Sequence, residues 1–164
     1  VRSGSALSEY VRQQLDPSLT WSDLSWIVEN TSLPILVKGI VRPDDALRAI
    51  QRGARGVVVS NHGGRQLDTA PPTAEVLPGI ARAMADRGDV FVDGGIRRGT
   101  DVVKAIALGA KGVLIGRPVL WGLAVDGAEG VERIISILNA ELLEAMALCG
   151  CPSVADITSD LVNP

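Results

Sequence analysis

Cysteine, histidine, surplus positive charge and long apolar runs are all scarce in this chain of 164 residues. Each scarcity removes a class of function. Cys149 and Cys151 stand too close together for a disulfide framework, and no histidine or second cysteine pair completes a zinc pattern. Two reduced, structural thiols and no metal are the expectation. A net charge of −3 gives no basic footprint for nucleic acid or an anionic membrane. The apolar stretches are short and broken by glycine or charge, so none of about 20 residues could span a bilayer. VRSGSALSEY lacks the apolar core of a signal peptide, and LVNP lacks a peroxisomal ending of the Ser-Lys-Leu kind. The expectation is a cytoplasmic protein with neither nucleic-acid nor membrane partners.

What is present is alternation. With 46% hydrophobic and 21% charged residues the chain has enough apolar mass for about one domain. TWSDLSWIVEN offers a Thr20 cap and a short amphipathic helix. LPILVK follows as a strand, its unbroken apolar run suited to a parallel sheet covered on both faces. RPDDALRAIQRG predicts a helix, with proline and acids at its entry and glycine at its exit. GVVVS, VFVDGG and GVLIG predict three more strands, and PTAEVLPGIARAMADRG and GTDVVKAIALG the helices between them. From Val119 to about Leu148 the pattern is helical in two pieces, broken near Asp126 and Gly127.

An internal repeat organises these elements. Residues 38–61 lie over 94–117 without a gap, with ten identities in twenty-four positions, among them Gly39/Gly95, Arg42/Arg98, Asp45/Asp101, Gly53/Gly109 and Gly56/Gly112. Repeated βα units with buried strands suit a (β/α)8 barrel, whose chemistry is carried by the loops at the strand C-termini. Such barrels run to about 250 residues, so four strands predict either half of one or an open α/β sheet.

Lys38, Ser60, His62, Asp93 and the Gly116–Arg117 pair all fall at the C-terminal end of a predicted strand, and in a parallel sheet those ends share one rim. DGGIRRGTD and IGRP are glycine turns opening onto helix starts, where backbone N–H groups and an arginine favour an anion. Arg97 and Arg117 are therefore expected to hold a phosphorylated ligand. At the other end of the rim His62 can take a proton at neutral pH. Arg65, in the same loop, can grip a carboxylate. Lys38 puts a compact positive charge where an anion develops. Together these residues describe a site that orients an acid and removes a proton from it.

SNHGGRQLD, with LPILVKGI, VFVDGGIRRGTDVVKAIALGAKGVLIGRP and GVERIISILNAELLEAMALCGC, resembles the FMN-dependent α-hydroxy acid dehydrogenase family, over about residues 20–162. The resemblance implies a TIM (β/α)8 barrel of which residues 1–164 supply the second half, strands five to eight plus the C-terminal helices. It implies oxidation of a small 2-hydroxy acid to the 2-oxo acid with FMN as cofactor. His62 would be the base and Arg65 the carboxylate clamp. Lys38 and Ser60 would lie by the flavin ring, Asp93 on the ribityl chain, and Gly94, Gly95, Arg97, Gly116 and Arg117 on the phosphate. The family also implies a homotetramer. Absent from this chain are the two substrate-facing tyrosines, a second carboxylate-binding arginine and the aspartate that partners the histidine. The N-terminal half of the barrel is therefore an expected partner, with VRSGSALSEY following a mobile loop. The rival readings are another FMN or phosphate-binding barrel enzyme and a non-catalytic half-barrel that binds phosphate or FMN without turnover.

Overall fold

Thr20 and Asp23 cap each other at the first helix, α1 (Trp21–Glu29), the Asp23 carboxylate accepting the Thr20 backbone N–H at 2.6 Å and its hydroxyl at 2.7 Å. The computed structural model describes Tyr10, residues 13–14 and residues 16–162. The expectations attached to VRSGSALSEY lie outside the described residues, Tyr10 apart. After α1 come β1 (Leu36–Ile40), α2 (Pro43–Gln51), β2 (Gly56–Val59), α3 (Thr73–Met84), β3 (Asp89–Val92), α4 (Gly99–Ala107), β4 (Gly112–Val113) and α5 (Arg117–Leu148).

The four strands form one parallel sheet in the order β1-β2-β3-β4, so each helix carries the chain from one strand to its neighbour. β2 lies in the middle, and Val57, Val58 and Val59 are at most 4% exposed. Each such valine stabilises the fold by about 1.5–3 kcal/mol through removal from water. The core lies between sheet and helices, where Ala46 and Ala49 of α2 and Leu77, Ile80 and Met84 of α3 meet Val57, Val59, Val90 and Val92. A second cluster joins Val103 and Ala107 of α4 to Ala145 and Met146 of α5, with Cys151 inside it. Burial raises the Cys151 thiol pKa above its ordinary value. Cys149 is exposed, so only one of the two expected structural thiols is a core residue.

The repeat is a repeat of structure. α2 and α4 start and end 56 residues apart, Arg42 and Arg98 precede them with φ of −129° and −130°, and Gly39/Gly95 and Gly53/Gly109 are all left-handed. Three boundaries differ from the sequence pattern. β4 stops at Val113 rather than Gly116, and Leu114 beyond it is exposed. α3 ends at Met84, where Ala85 turns to a positive φ and a short 3₁₀ turn, Ala85–Arg87, follows. α5 begins at Arg117 and breaks at Asp126 and Gly127, where φ is −152° and +54°. The two pieces cross closely at Gly122 and Gly130; a Cβ on Gly130 would stand 2.0 Å from the Gly122 carbonyl oxygen.

Candidate active site

Parallel strands all end at the same rim, and on that rim an open cleft of about 440 Å³ collects the polar strand-end residues. Lys38, His62, Arg65, Asp93, Gly94, Gly95, Arg97, Gly116 and Arg117 line it. Ser60, the tenth expected residue, is buried beneath at 1% exposure and reaches the cleft through hydrogen bonds. Four cations face one carboxylate among the lining residues, in a chain whose net charge is −3. Such a cleft attracts anions.

The β1, β2 and β3 ends are tied together. The Lys38 ammonium donates to Ser60 Oγ at 2.8 Å and to Asp93 Oδ2 at 2.5 Å. Lys38 is exposed, so this ion pair contributes little to stability by itself; it orients the ammonium. The Thr73 hydroxyl donates to the Asp93 carbonyl at 2.6 Å, fixing the backbone behind that carboxylate. Asp93 Oδ1 is buried with no hydrogen-bond partner. A buried acceptor without a donor is costly, and a ligand hydroxyl in the cleft would satisfy it.

The loop after β2 is held in an unusual shape. His62, Gly63 and Gly64 have φ of +55°, +69° and +70°. For a histidine this conformation costs of order 1–3 kcal/mol, a strain that concentrates at functional sites. Short-range bonds hold it: Ser60 Oγ accepts the His62 N–H at 3.1 Å, Asn61 Oδ1 accepts the Gly63 N–H at 3.1 Å, and Asn61 Nδ2 donates to the Pro71 carbonyl at 3.2 Å. Arg65 Nε donates to the His62 carbonyl at 3.0 Å, leaving the terminal guanidinium nitrogens for a ligand. Arg65 and Arg117 both flank Gly63, each with a guanidine nitrogen 3.9 Å from where a Cβ on Gly63 would stand. Two cations converging this closely favour an anion between or beside them.

The two glycine turns differ in what they can offer. At α4 the first N–H groups are already used: Asp101 accepts those of Arg97 and Arg98 at 3.0 Å, and Glu141 that of Gly99 at 2.9 Å. The N–H groups of Arg97, Arg98 and Gly99 are therefore taken, and what the turn itself presents to the cleft is the Gly94–Gly95 backbone with the Arg97 side chain. A Cβ on Gly95 would meet no other residue within 4 Å, so the turn leaves open space. At α5, Gly116 is the N-cap without a side-chain cap, and it too faces open space. Asn61 and Thr73 were missed by sequence reasoning because they face backbone rather than the cleft. Trp121, also in the lining, reads as an ordinary helix residue.

The family model described as FMN-dependent dehydrogenase matches residues 1–164. The chain is 54% identical over 159 residues to 2-hydroxyacid oxidase 1 of Mus musculus, covering 97% of this chain and 43% of the relative. It is 56% identical over 156 residues to a peroxisomal (S)-2-hydroxy-acid oxidase of Oryza sativa subsp. japonica, covering 95% and 43%. A solved mandelate oxidase variant with a monooxide FMN adduct superposes with a TM-score of 0.84 at 49% identity, over 86% of this chain and 45% of that one. The chain thus spans less than half the length of these relatives.

Proposed function

Since the chain belongs to the FMN-dependent dehydrogenase family, we propose that, joined to the first half of the barrel, it oxidises a small 2-hydroxy acid to the 2-oxo acid. Within the family's (β/α)8 barrel it supplies the second half, strands five to eight and the C-terminal helices, and residues 1–164 are taken as that one half-domain. The observation that carries the reading is the cleft itself: a histidine, a cationic lining, an unpartnered buried carboxylate oxygen and an open glycine turn on one rim. FMN, when bound, accepts the two electrons released at the substrate's C2.

The residues fit that cofactor. Asp93 Oδ1 needs a donor and would take a ribityl hydroxyl, and Gly95 and Gly116 leave room for a phosphate that Arg97 and Arg117 neutralise. Lys38, aimed by Ser60 and Asp93, would stand at the flavin ring with its positive charge toward developing anionic character. Arg65 holds the substrate carboxylate with its terminal nitrogens, which sets the 2-position toward His62. His62 then takes one proton there, from the hydroxyl or from C2, and the other hydrogen would pass to the flavin with the electron pair.

The proposal includes a homotetramer in the cytoplasm. Exposed Leu120, Trp121, Leu123, Ile135, Ile137 and Leu143 on α5 support burial against the first half and further subunits. Among the described residues no helix is long and apolar enough to cross a membrane. Sizing at micromolar concentration and cell fractionation test the two points. The central test is spectroscopic: the chain purified with the remaining half of the barrel should be yellow, and glycolate, lactate or mandelate should bleach the flavin band without oxygen. A colourless protein overturns the cofactor assignment. A yellow one that no 2-hydroxy acid bleaches is a non-catalytic FMN-binding module.

A further inference from the structure

We infer that Gly39 is a positioning residue for His62, the side-chain-free backbone surface against which the imidazole is seated. Gly39 lies where β1 slips its register: Lys38 pairs with Val58, Ile40 pairs with Val59, and Gly39 between them has no partner. Its φ is +99°, a left-handed conformation that favours glycine. That alone would explain the residue, but the repeat supplies a comparison. Gly95, its counterpart 56 residues on, has φ +80° and open space around the missing Cβ. At Gly39 the same space is filled. A Cβ there would stand 2.9 Å from His62 Nε2 and 3.5 Å from Cε1.

The imidazole is thus confined from two sides. Its backbone is strained into φ +55° and anchored by Ser60 Oγ, while its Nε2 end approaches Gly39. A side chain on Gly39 would meet a ring that rotates about two bonds more cheaply than a strand moves, so the ring would yield. Displacement of a base by about 1 Å can cost on the order of 100-fold in rate.

This inference rests on the reading of His62 as base, and the test separates the two. In the complete enzyme, Gly39→Ala is expected to lower substrate reduction of the flavin, per flavin bound, by about 10- to 100-fold while FMN content holds. Gly53→Ala is the control: its φ is +93° and its Cβ would meet Val28 at 2.8 Å, far from the cleft lining. It should cost thermal stability and leave the reduction rate intact. In a His62→Asn background, Gly39→Ala should add no further loss, because the ring it displaces is gone. An unchanged rate in Gly39→Ala, or a full additional loss in the double variant, overturns the positioning role. A near-normal rate in His62→Asn alone overturns the base assignment instead. A wild-type measurement keeps the placement decidable even where Gly39→Ala fails to fold. The His62 ring proton signal, identified by its loss in His62→Asn, should show a nuclear Overhauser contact to the Gly39 α protons, and its absence overturns the seat.

Discussion

Residues 38–61 and 94–117 follow the same backbone course and carry different chemistry. In both, a strand end turns through a left-handed glycine, Gly39 or Gly95, into a helix that starts at Pro43 or Gly99 and closes through Gly53 or Gly109. In the first copy the space beside the glycine is taken by His62, and the strand ends present Lys38 and Ser60 to each other. In the second copy the space stays open, flanked by Arg97, while Asp101 and Glu141 take the N–H groups of Arg97, Arg98 and Gly99. A glycine dictated by backbone geometry thus serves opposite ends: packing a side chain in one copy, leaving room for a ligand in the other. The frame is generic and the neighbours assign the role.

The comparison can be broken most sharply at His62. His62→Asn in the complete enzyme should slow substrate reduction of the flavin by about 10²- to 10⁴-fold, with FMN content retained, because the proposed phosphate contacts belong to the second copy and the proposed ribityl contact, Asp93, directly precedes it. Stopped-flow reduction normalised to flavin content checks it; a rate near normal would make the histidine a structural loop residue. Arg117→Met should act the other way, weakening FMN affinity by about 1.5–3 kcal/mol through loss of a charge-assisted contact. Titration of apoprotein with FMN measures it, and Arg97→Met should lose less if the two arginines share the anion. Arg65→Lys keeps the charge and loses the planar fork, so inhibition by carboxylate analogues should weaken by about tenfold while FMN stays bound.

The smallest effect is expected at Glu141, which secures the second copy from behind. Its carboxylate accepts the Gly99 N–H and the Arg98 guanidinium, and these contacts hold its pKa below the ordinary glutamate value. A depressed folded pKa means stability that is present above the unfolded value and lost as pH falls through the folded one. Glu141→Gln should lower Tm by about 2–4 °C at neutral pH, and the gap should close in acid. No gap at neutral pH would mean that packing at Gly99, where a Cβ would stand 2.1 Å from the Leu142 nitrogen, and not the charge, holds α4 to α5.

Much of this frame was legible before any coordinates, because it rests on short-range chemistry. Thr20 with Asp23, Pro43 before an acid pair and the Asp126–Gly127 break are local signals whose partners lie within a few residues. The apolar runs dictated buried parallel strands, whose ends share one rim for Lys38, His62, Asp93 and Arg117, and the gap-free repeat dictated matching helices. Tertiary structure alone decided what meets across that rim. Lys38 reaches Asp93 across 55 positions, Glu141 reaches Gly99 across 42, and the ring of His62 fills the space that Gly39 leaves. β4 ends after two residues, although its apolar run continues. Propensity and pattern act over one or two turns of chain, whereas these contacts depend on how whole strands and helices pack, and no local signal encodes that distance.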